Sequence, residues 1–395
     1  MNNRLPEPMR VVINALTELT PYYGSRVYLF NLARALAEIP DVDLTLLVGQ
    51  GQKHQLPTEL QEYAEEIAVS ASRSYSQITH AFQIRKRLRE IGPGIWHLPN
   101  TLPLLGKTMP TVITIHDLAD LRGKKYGRLR TWYRRLVNYT AAHGADQIIT
   151  VSLNSKSDIA QLLNIPEDKI TVTHPGVDPC FRPLDPDTCR DYISSKYGLP
   201  KDFILAPGGL ALNKNVDGLL RAYHVLRDTG TKRSVVCTGN FEPHEGRRIS
   251  TLIQELDLTG KVFLTGHIPG EDLPKLYNAS AVVAYLSLYE GFGLPVLEAM
   301  GCGVPVVASD RSSIPEAAGN CALLVNPKDP NAVAAVINSV LHDEELRKNM
   351  AASGLARARQ FTWQRTAFQT LAVYAKAMAQ SKFSTHPMLS RAAAR

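Results

Sequence analysis

Short, continuously apolar runs alternate along this chain with segments whose apolar residues recur every three or four positions. The runs Arg10–Ala15, Asp43–Val48, Ile95–Leu98, Thr111–Ile115, Gln147–Val151 and Lys169–Thr173 read as strands. Phe203–Ala206, Ser234–Thr238, Val262–Thr265 and Ala281–Leu286 read the same way. Runs without polar alternation suit strands covered on both faces, as in a parallel sheet. Helical periodicity marks Val27–Glu38, Val216–Leu226, Leu273–Ser280, Asn331–Leu341, Glu344–Gln360 and Trp363–Ala379, and Lys156–Leu163 follows a Ser/Asn cap. Strand and helix in alternation predict an α/β protein. Gln50–Ser76 is polar and reads as irregular. The Pro/Gly-rich stretch His174–Pro183 reads as a domain boundary, giving a first domain over 1–190 and a second over 200–362. The tail 380–395 carries Ser, Pro, Ala and Arg without periodicity and reads as disordered.

The candidate chemistry is concentrated after Leu286. A loop with Glu290, Gly291, Phe292 and Gly293 leads to Pro295, whose fixed φ suits a helix start. Gly301 and Gly303 end that helix, and Val304–Ala308 restarts a strand. A glycine loop at a helix N-terminus can hold an anion. Carboxylates beside it, Glu290 and Glu298, can grip sugar hydroxyls, and the pairing suggests a nucleotide sugar. Gly208 and Gly209 make a second loop after a strand, with Lys214 before the next helix. On position alone that lysine is either a phosphate partner or a solvent-facing cation. His116 follows a strand directly, where the ligand crevice of an open α/β sheet lies. It either serves a reacting oxygen or merely caps the strand and bonds Asp117. Gly24, in the turn Tyr22-Tyr23-Gly24, either lets backbone approach a ligand or makes an ordinary turn. Asp41 and Asp43 form a D-x-D pattern, but beside Pro40 turn chemistry explains it better than a metal.

Composition narrows the class. Hydrophobic residues make up 44% and charged residues 21% of 395, which is globular and ample for two cores. Five cysteines have no metal-type spacing and suit a reducing compartment. No apolar run is long enough for a spanning helix, and the first residues lack a signal-peptide core. The net charge of +7 is clustered in Ile84–Glu90 and Leu121–Leu136, the latter interleaved with Tyr126, Trp132 and Tyr133. Such a mixture suits an anionic membrane surface or ligand, or else a solvated helix face. No nucleic-acid recognition motif is present.

With these residues assembled, the sequence resembles family 4 of the retaining glycosyltransferases. YEGFGLPVLEAMGCGVPVVAS, PEAAGNCALLVNP, TGHIPGEDLPKLYNAS, TVSLNSKSDI, HPGVDPCF and ITIHDL carry the resemblance over Val11–Met378. It implies a GT-B fold, two Rossmann-like domains facing across a cleft, with helix 363–379 returning to the first domain. It also implies site roles. Glu298 takes the ribose hydroxyls, Glu290 contacts the donor sugar, and the amides of Gly291, Phe292, Gly293 and Leu294 hold the diphosphate or sugar. Gly208 and Gly209 belong to the donor loop, and Lys214 neutralises the phosphates. His116 lies by the donor sugar and Gly24 approaches the diphosphate. This chain departs from the family pattern at Gly209 and Asn213, both often arginine, and at Tyr23-Gly24, where a glycine pair is usual. Arg26 or Lys275 are the candidate replacements for the missing cation.

The implied activity is transfer of a hexose, mannose-type preferred, from GDP-mannose or a UDP-hexose to a glycan or lipid-linked acceptor. No cofactor and no metal are expected. The expected place is the cytoplasm, at the inner membrane surface. The rival readings are a non-catalytic nucleotide-sugar-binding scaffold, a sugar-nucleotide epimerase on the same fold, or a glycan phosphorylase.

Overall fold

A computed structural model describes residues 8–16, 24–68, 76–101, 107–122 and 128–381. The chain divides into two compact units, Met1–Gly176 with Trp363–Arg395, and Val177–Thr362.

In the first unit β1 (Met9–Asn14), β2 (Val42–Gly49), β3 (Ala64–Ile67), β4 (Ile95–Leu98), β5 (Thr111–Ile115), β6 (Gln147–Thr150) and β7 (Ile170–Val172) form one sheet. The order is β3-β2-β1-β4-β5-β6-β7 and every pairing is parallel. The order reverses between β1 and β4, the place where open α/β sheets receive ligands. One face is covered by Ile84 and Leu88, Ala141 and Ala142, and Ile159 and Leu163, from three helices packed with Val12, Ile113 and Ile148. Helices Gly24–Ala37 and Trp363–Gln380 pack on each other. Tyr374 of the last helix is buried, with its hydroxyl 2.7 Å from His97 Nδ1, and Thr366 donates to the His174 carbonyl at 2.7 Å.

The stretch read as irregular contains two short 3₁₀ turns and the edge strand β3. AEEI escapes an apolar-run criterion because an edge strand needs little core contact. Only Ile67 of its four residues is buried. Among the basic runs, Ile84–Glu90 lies in helix Ser76–Ile91, where Arg87 is paired with Glu65 and Glu90. Asp43 is paired with Arg10 at 2.9 Å, a structural use for the second D-x-D residue. The tail from 382 onward, and Tyr22 and Tyr23, lie outside the described residues.

In the second unit β8 (Phe203–Pro207), β9 (Ser234–Thr238), β10 (Val262–Gly266), β11 (Val282–Tyr285), β12 (Val306–Ser309) and β13 (Leu323–Val325) make a parallel sheet of order β10-β9-β8-β11-β12-β13. β8, β9, β11 and β12 are buried at every position, as continuous apolar runs require. Val177–Arg190, placed by sequence in the first domain, belongs to the second unit. The reason is polar anchoring. Leu184 N–H donates to Asn278 Oδ1 at 2.9 Å. On helix Pro186–Tyr197, Tyr192, Lys196 and Tyr197 close on the buried carboxylate of Asp272 at 2.8, 2.6 and 2.6 Å.

Candidate active site

The order of the second sheet reverses between β8 and β11, and the loops after these two strands carry the candidate residues. After β8, Gly208 and Gly209 have φ of 109° and 87°, a region that favours glycine. Both amides donate to the Thr238 carbonyl at 2.9 Å. Their role is therefore shape and not donation to a ligand. A Cβ on Gly209 would stand 2.4 Å from the Asn240 carbonyl oxygen. This backbone accepts no side chain there, which gives the absence of arginine a local cause. Gly208 leaves room for Lys214, whose Nζ lies 3.5 Å from where a Cβ would be.

The turn Leu212–Lys214 is fastened to the loop after β11. Leu288 N–H donates to the Asn213 carbonyl at 2.7 Å, and Asn213 Nδ2 to the Tyr289 carbonyl at 3.2 Å. Asn215, left-handed with φ 55°, donates to the carbonyls of Leu286 at 3.2 Å and Pro327 at 2.8 Å. These bonds bring Lys214 Nζ to 2.8 Å from Glu290 Oε1 and 3.5 Å from the Tyr285 hydroxyl. The pair is largely enclosed, with 20% and 13% of the side chains exposed. Burial works against the ammonium charge, but Tyr285 and the Glu290 carboxylate outweigh it and raise the Lys214 pKa. Lys214 is thus a fixed cation with an anionic neighbour, not a solvent-facing one.

The loop itself is pinned from the next βα connection. Ser313 Oγ lies 2.9 Å from the Glu290 carbonyl and 3.0 Å from the Phe292 carbonyl. Ser312 Oγ lies 2.9 Å from the Glu290 carbonyl and accepts from Glu290 N–H at 3.2 Å. Gly293, with φ 108°, then caps helix Leu294–Gly301, with Pro295 in its first turn. Glu298 stands on this helix, and its Oε2 accepts from the Tyr277 hydroxyl at 2.7 Å. Burial raises its carboxyl to about 7, against the pull of the Tyr277 hydrogen bond, with Asp178 adding to the rise. The two glutamates are unequal. Glu290 is held against a cation, while burial shifts Glu298 toward its protonated form.

Within the first unit, His116 directly follows β5. Its Nε2 lies 2.9 Å from the Pro99 carbonyl, which can only accept, so Nε2 carries a proton. The edge of Tyr28 packs on the imidazole at 4.8 Å between centroids. Asp117 Oδ1 accepts from Ala119 N–H at 2.9 Å, a turn contact in the loop. Gly24 opens helix Gly24–Ala37, is exposed, and has no atom of the described residues within 4 Å of where a Cβ would be. Arg26 donates to the Gln55 carbonyl at 3.2 Å. In the second unit Lys275 donates to Asp272 at 3.0 Å.

Comparison with known proteins decides the family. The sequence model described as "Glycosyltransferase Family 4" matches residues 22–180, and "Glycosyl transferases group 1" matches 191–357. The O-antigen chain mannosyltransferase B of Escherichia coli is 35% identical over 73% of this chain and 75% of its own length. The chain is a family 4 glycosyltransferase. Another relative, the MMP alpha-(1->4)-mannosyltransferase of Mycolicibacterium hassiacum, is 31% identical over 69% of this chain and 66% of that protein. Among solved structures, sucrose-phosphate synthase from Thermosynechococcus elongatus superposes with a TM-score of 0.77 at 20% identity, covering 94% of this chain and all of that one. Anabaena HepE in complex with UDP-glucose gives 0.73 at 19% identity over 92% and 99%. These likenesses establish the two-domain GT-B fold of this glycosyltransferase.

Several residues that shape these loops of the glycosyltransferase were not marked by sequence. Tyr285 appeared only as strand interior and Tyr277 only as helix, and the turn carrying Ser312 and Ser313 was given no role. The signal available was the hydroxyl doublet after Asp310-Arg311, just past the carboxyl end of a buried strand.

Proposed function

We propose that this glycosyltransferase moves a mannose-type hexose from a nucleoside-diphosphate sugar to a glycan or lipid-linked acceptor in polysaccharide or glycolipid synthesis. The donor is GDP-mannose or a UDP-hexose, and configuration at the anomeric carbon is retained without a metal. The carrying observation is the Lys214–Glu290 pair, 2.8 Å apart at the reversal of strand order in the second sheet. A fixed cation suits a diphosphate, and a carboxylate beside it suits sugar hydroxyls. The names of the mannosyltransferase relatives favour the sugar.

In the proposed step the bond from the anomeric carbon to the β-phosphate oxygen breaks and its electron pair stays on the phosphate. Lys214 meets the growing negative charge, and the N-terminus of helix Leu294–Gly301 adds its partial positive charge. The acceptor oxygen bonds the anomeric carbon from the face the phosphate leaves, and its proton passes to that phosphate. Glu290 orients the sugar and His116 supports it. Glu298 takes the ribose hydroxyls with its second oxygen, and their donation favours its ionised form. Incubation with GDP-mannose and UDP-hexoses plus oligosaccharide or lipid-linked acceptors tests the proposal. Nucleoside diphosphate release coupled to sugar transfer is expected. No release with any donor and acceptor would leave a binding scaffold.

The membrane part of the proposal rests on helix Arg128–Gly144, which has four arginines and no acidic residue. Trp132, Tyr133, Leu136 and Tyr139 are 62%, 48%, 43% and 44% exposed on it. Arg134 is paired with Asp120 at 2.5 Å, so Arg135 is the better probe. No helix among the described residues is long and apolar enough to cross a membrane. Co-sedimentation with vesicles containing phosphatidylglycerol, reduced by Arg135→Glu and Trp132→Ala, is expected at the cytoplasmic face of an anionic bilayer. Binding unaffected by both substitutions would contradict it.

A further inference from the structure

The second unit has a second concave, charged surface at the opposite end of its sheet from the glycine loops. A cavity of about 470 Å³ is lined by Arg190, Lys201, Asp202, Arg233, Ser280 and Arg347, among others. Asp202 immediately precedes β8, Arg233 precedes β9, and Ser280 lies just before β11. These are the amino-terminal ends of the strands, whereas Lys214, Glu290 and Glu298 belong to segments after the carboxyl ends. The cavity is therefore separate from the donor loops.

Its lining brings together four cations and one carboxylate from separate segments. Each arginine is anchored in the protein through one nitrogen. Arg190 Nη1 donates to Asp187 Oδ1 at 2.8 Å, and Arg233 Nε to Asp202 Oδ1 at 2.8 Å. Arg347 Nη1 donates to the carbonyls of Val340 at 2.9 Å and Leu341 at 2.8 Å. A guanidinium has five N–H donors in a rigid fork. The anchoring bonds fix the three planes and leave most of that donor capacity unused by the described residues. Carbonyl partners, unlike carboxylates, leave the full charge of Arg347 in place. Planar, pre-positioned guanidinium groups match phosphate oxygens in pairs. The volume falls in the range of small-ligand sites.

We propose that this cavity binds a small solute bearing a diphosphate group, at a site distinct from the donor site. Arg190, Lys201 and Arg233 are paired with Asp187, Asp191 and Asp202, so the excess charge rests on Arg347; the open guanidinium donors of three segments suit a ligand whose two phosphate groups can reach more than one of them. The inference is independent of the activity proposed above.

Calorimetric titration of the full chain with inorganic pyrophosphate tests it, using Arg233→Ala/Arg347→Ala beside the unmodified protein. The variant is expected to bind pyrophosphate about ten-fold more weakly or worse, as loss of charge-assisted hydrogen bonds dictates, while the tighter GDP or UDP site at the glycine loops keeps its affinity. Should the double variant fail to fold, Arg190→Glu/Lys201→Glu takes its place, since Lys201 is exposed and Arg190 lies at a helix surface. Unchanged pyrophosphate binding would overturn the proposal, because the donor loops would then account for it. Equal loss of pyrophosphate and nucleotide binding in a folded variant would overturn it as well, since one site would serve both.

Discussion

Glu298 offers a test in which the sign and the size both follow from the structure. Burial raises its carboxyl from the ordinary 4.5 to about 7. The unfolded chain releases that proton near the ordinary value, so between the two values the folded protein binds more protons. The stabilisation is fully present below about 4.5 and is lost as pH rises through about 7. At 1.36 kcal/mol per unit, the interval sets an upper bound of about 3 kcal/mol. Glu298→Gln removes the titration while keeping an acceptor for the Tyr277 hydroxyl, now 2.7 Å away. Urea unfolding of both proteins at pH 5 and pH 8.5 reads the difference. The wild type should lose roughly 1–3 kcal/mol relative to the variant over that span. Parallel pH dependences would refute the reasoning. The proposed ribose contact adds a second readout: wild-type nucleotide affinity should rise through neutral pH, while that of the variant stays flat.

The Lys214–Glu290 pair should behave as a unit. Lys214→Met and Glu290→Gln are each expected to cost roughly 3 kcal/mol in urea unfolding, and the double variant less than their sum. Additive costs would mean that the pair is not coupled. Lys214→Ala should also cut turnover by about 10²–10³ as loss of a transition-state donor, and an unchanged rate would remove that role. Gly209→Ala places a methyl group 2.4 Å from the Asn240 carbonyl at φ 87°. A thermal-unfolding loss of about 2 kcal/mol or more is expected, and none would mean the crossing is loose. Ser313→Ala removes the hydroxyl between the Glu290 and Phe292 carbonyls. It should destabilise by about 1 kcal/mol and lower turnover more than nucleotide affinity.

The strands were legible because parallel sheets bury them on both faces, and runs such as Phe203–Ala206 and Thr111–Ile115 advertise that burial in every residue. Strand β3 was not, because one buried isoleucine at a sheet edge leaves no run to read. The glycines and Glu290, Glu298 and Lys214 stood out through their loops. Their contacts did not. Lys214 meets Glu290 across 76 positions of sequence because β8 and β11 are neighbours in the sheet. Strand order is a property of the whole unit, absent from any local pattern. The same holds for Ser312 and Ser313, which pin Glu290 only because β12 lies next to β11. The segment Val177–Arg190 was placed in the first domain for a related reason. Its ties to the second unit run to Asn278, far along the chain from Arg182 and Leu184.

The most direct measurement is the anomeric configuration of the product formed from GDP-mannose or a UDP-hexose, followed by NMR beside nucleoside diphosphate release. The account predicts release coupled to a product of retained configuration, sharply reduced in Lys214→Ala and Glu290→Gln. An inverted product, or turnover undiminished in both variants, would contradict it.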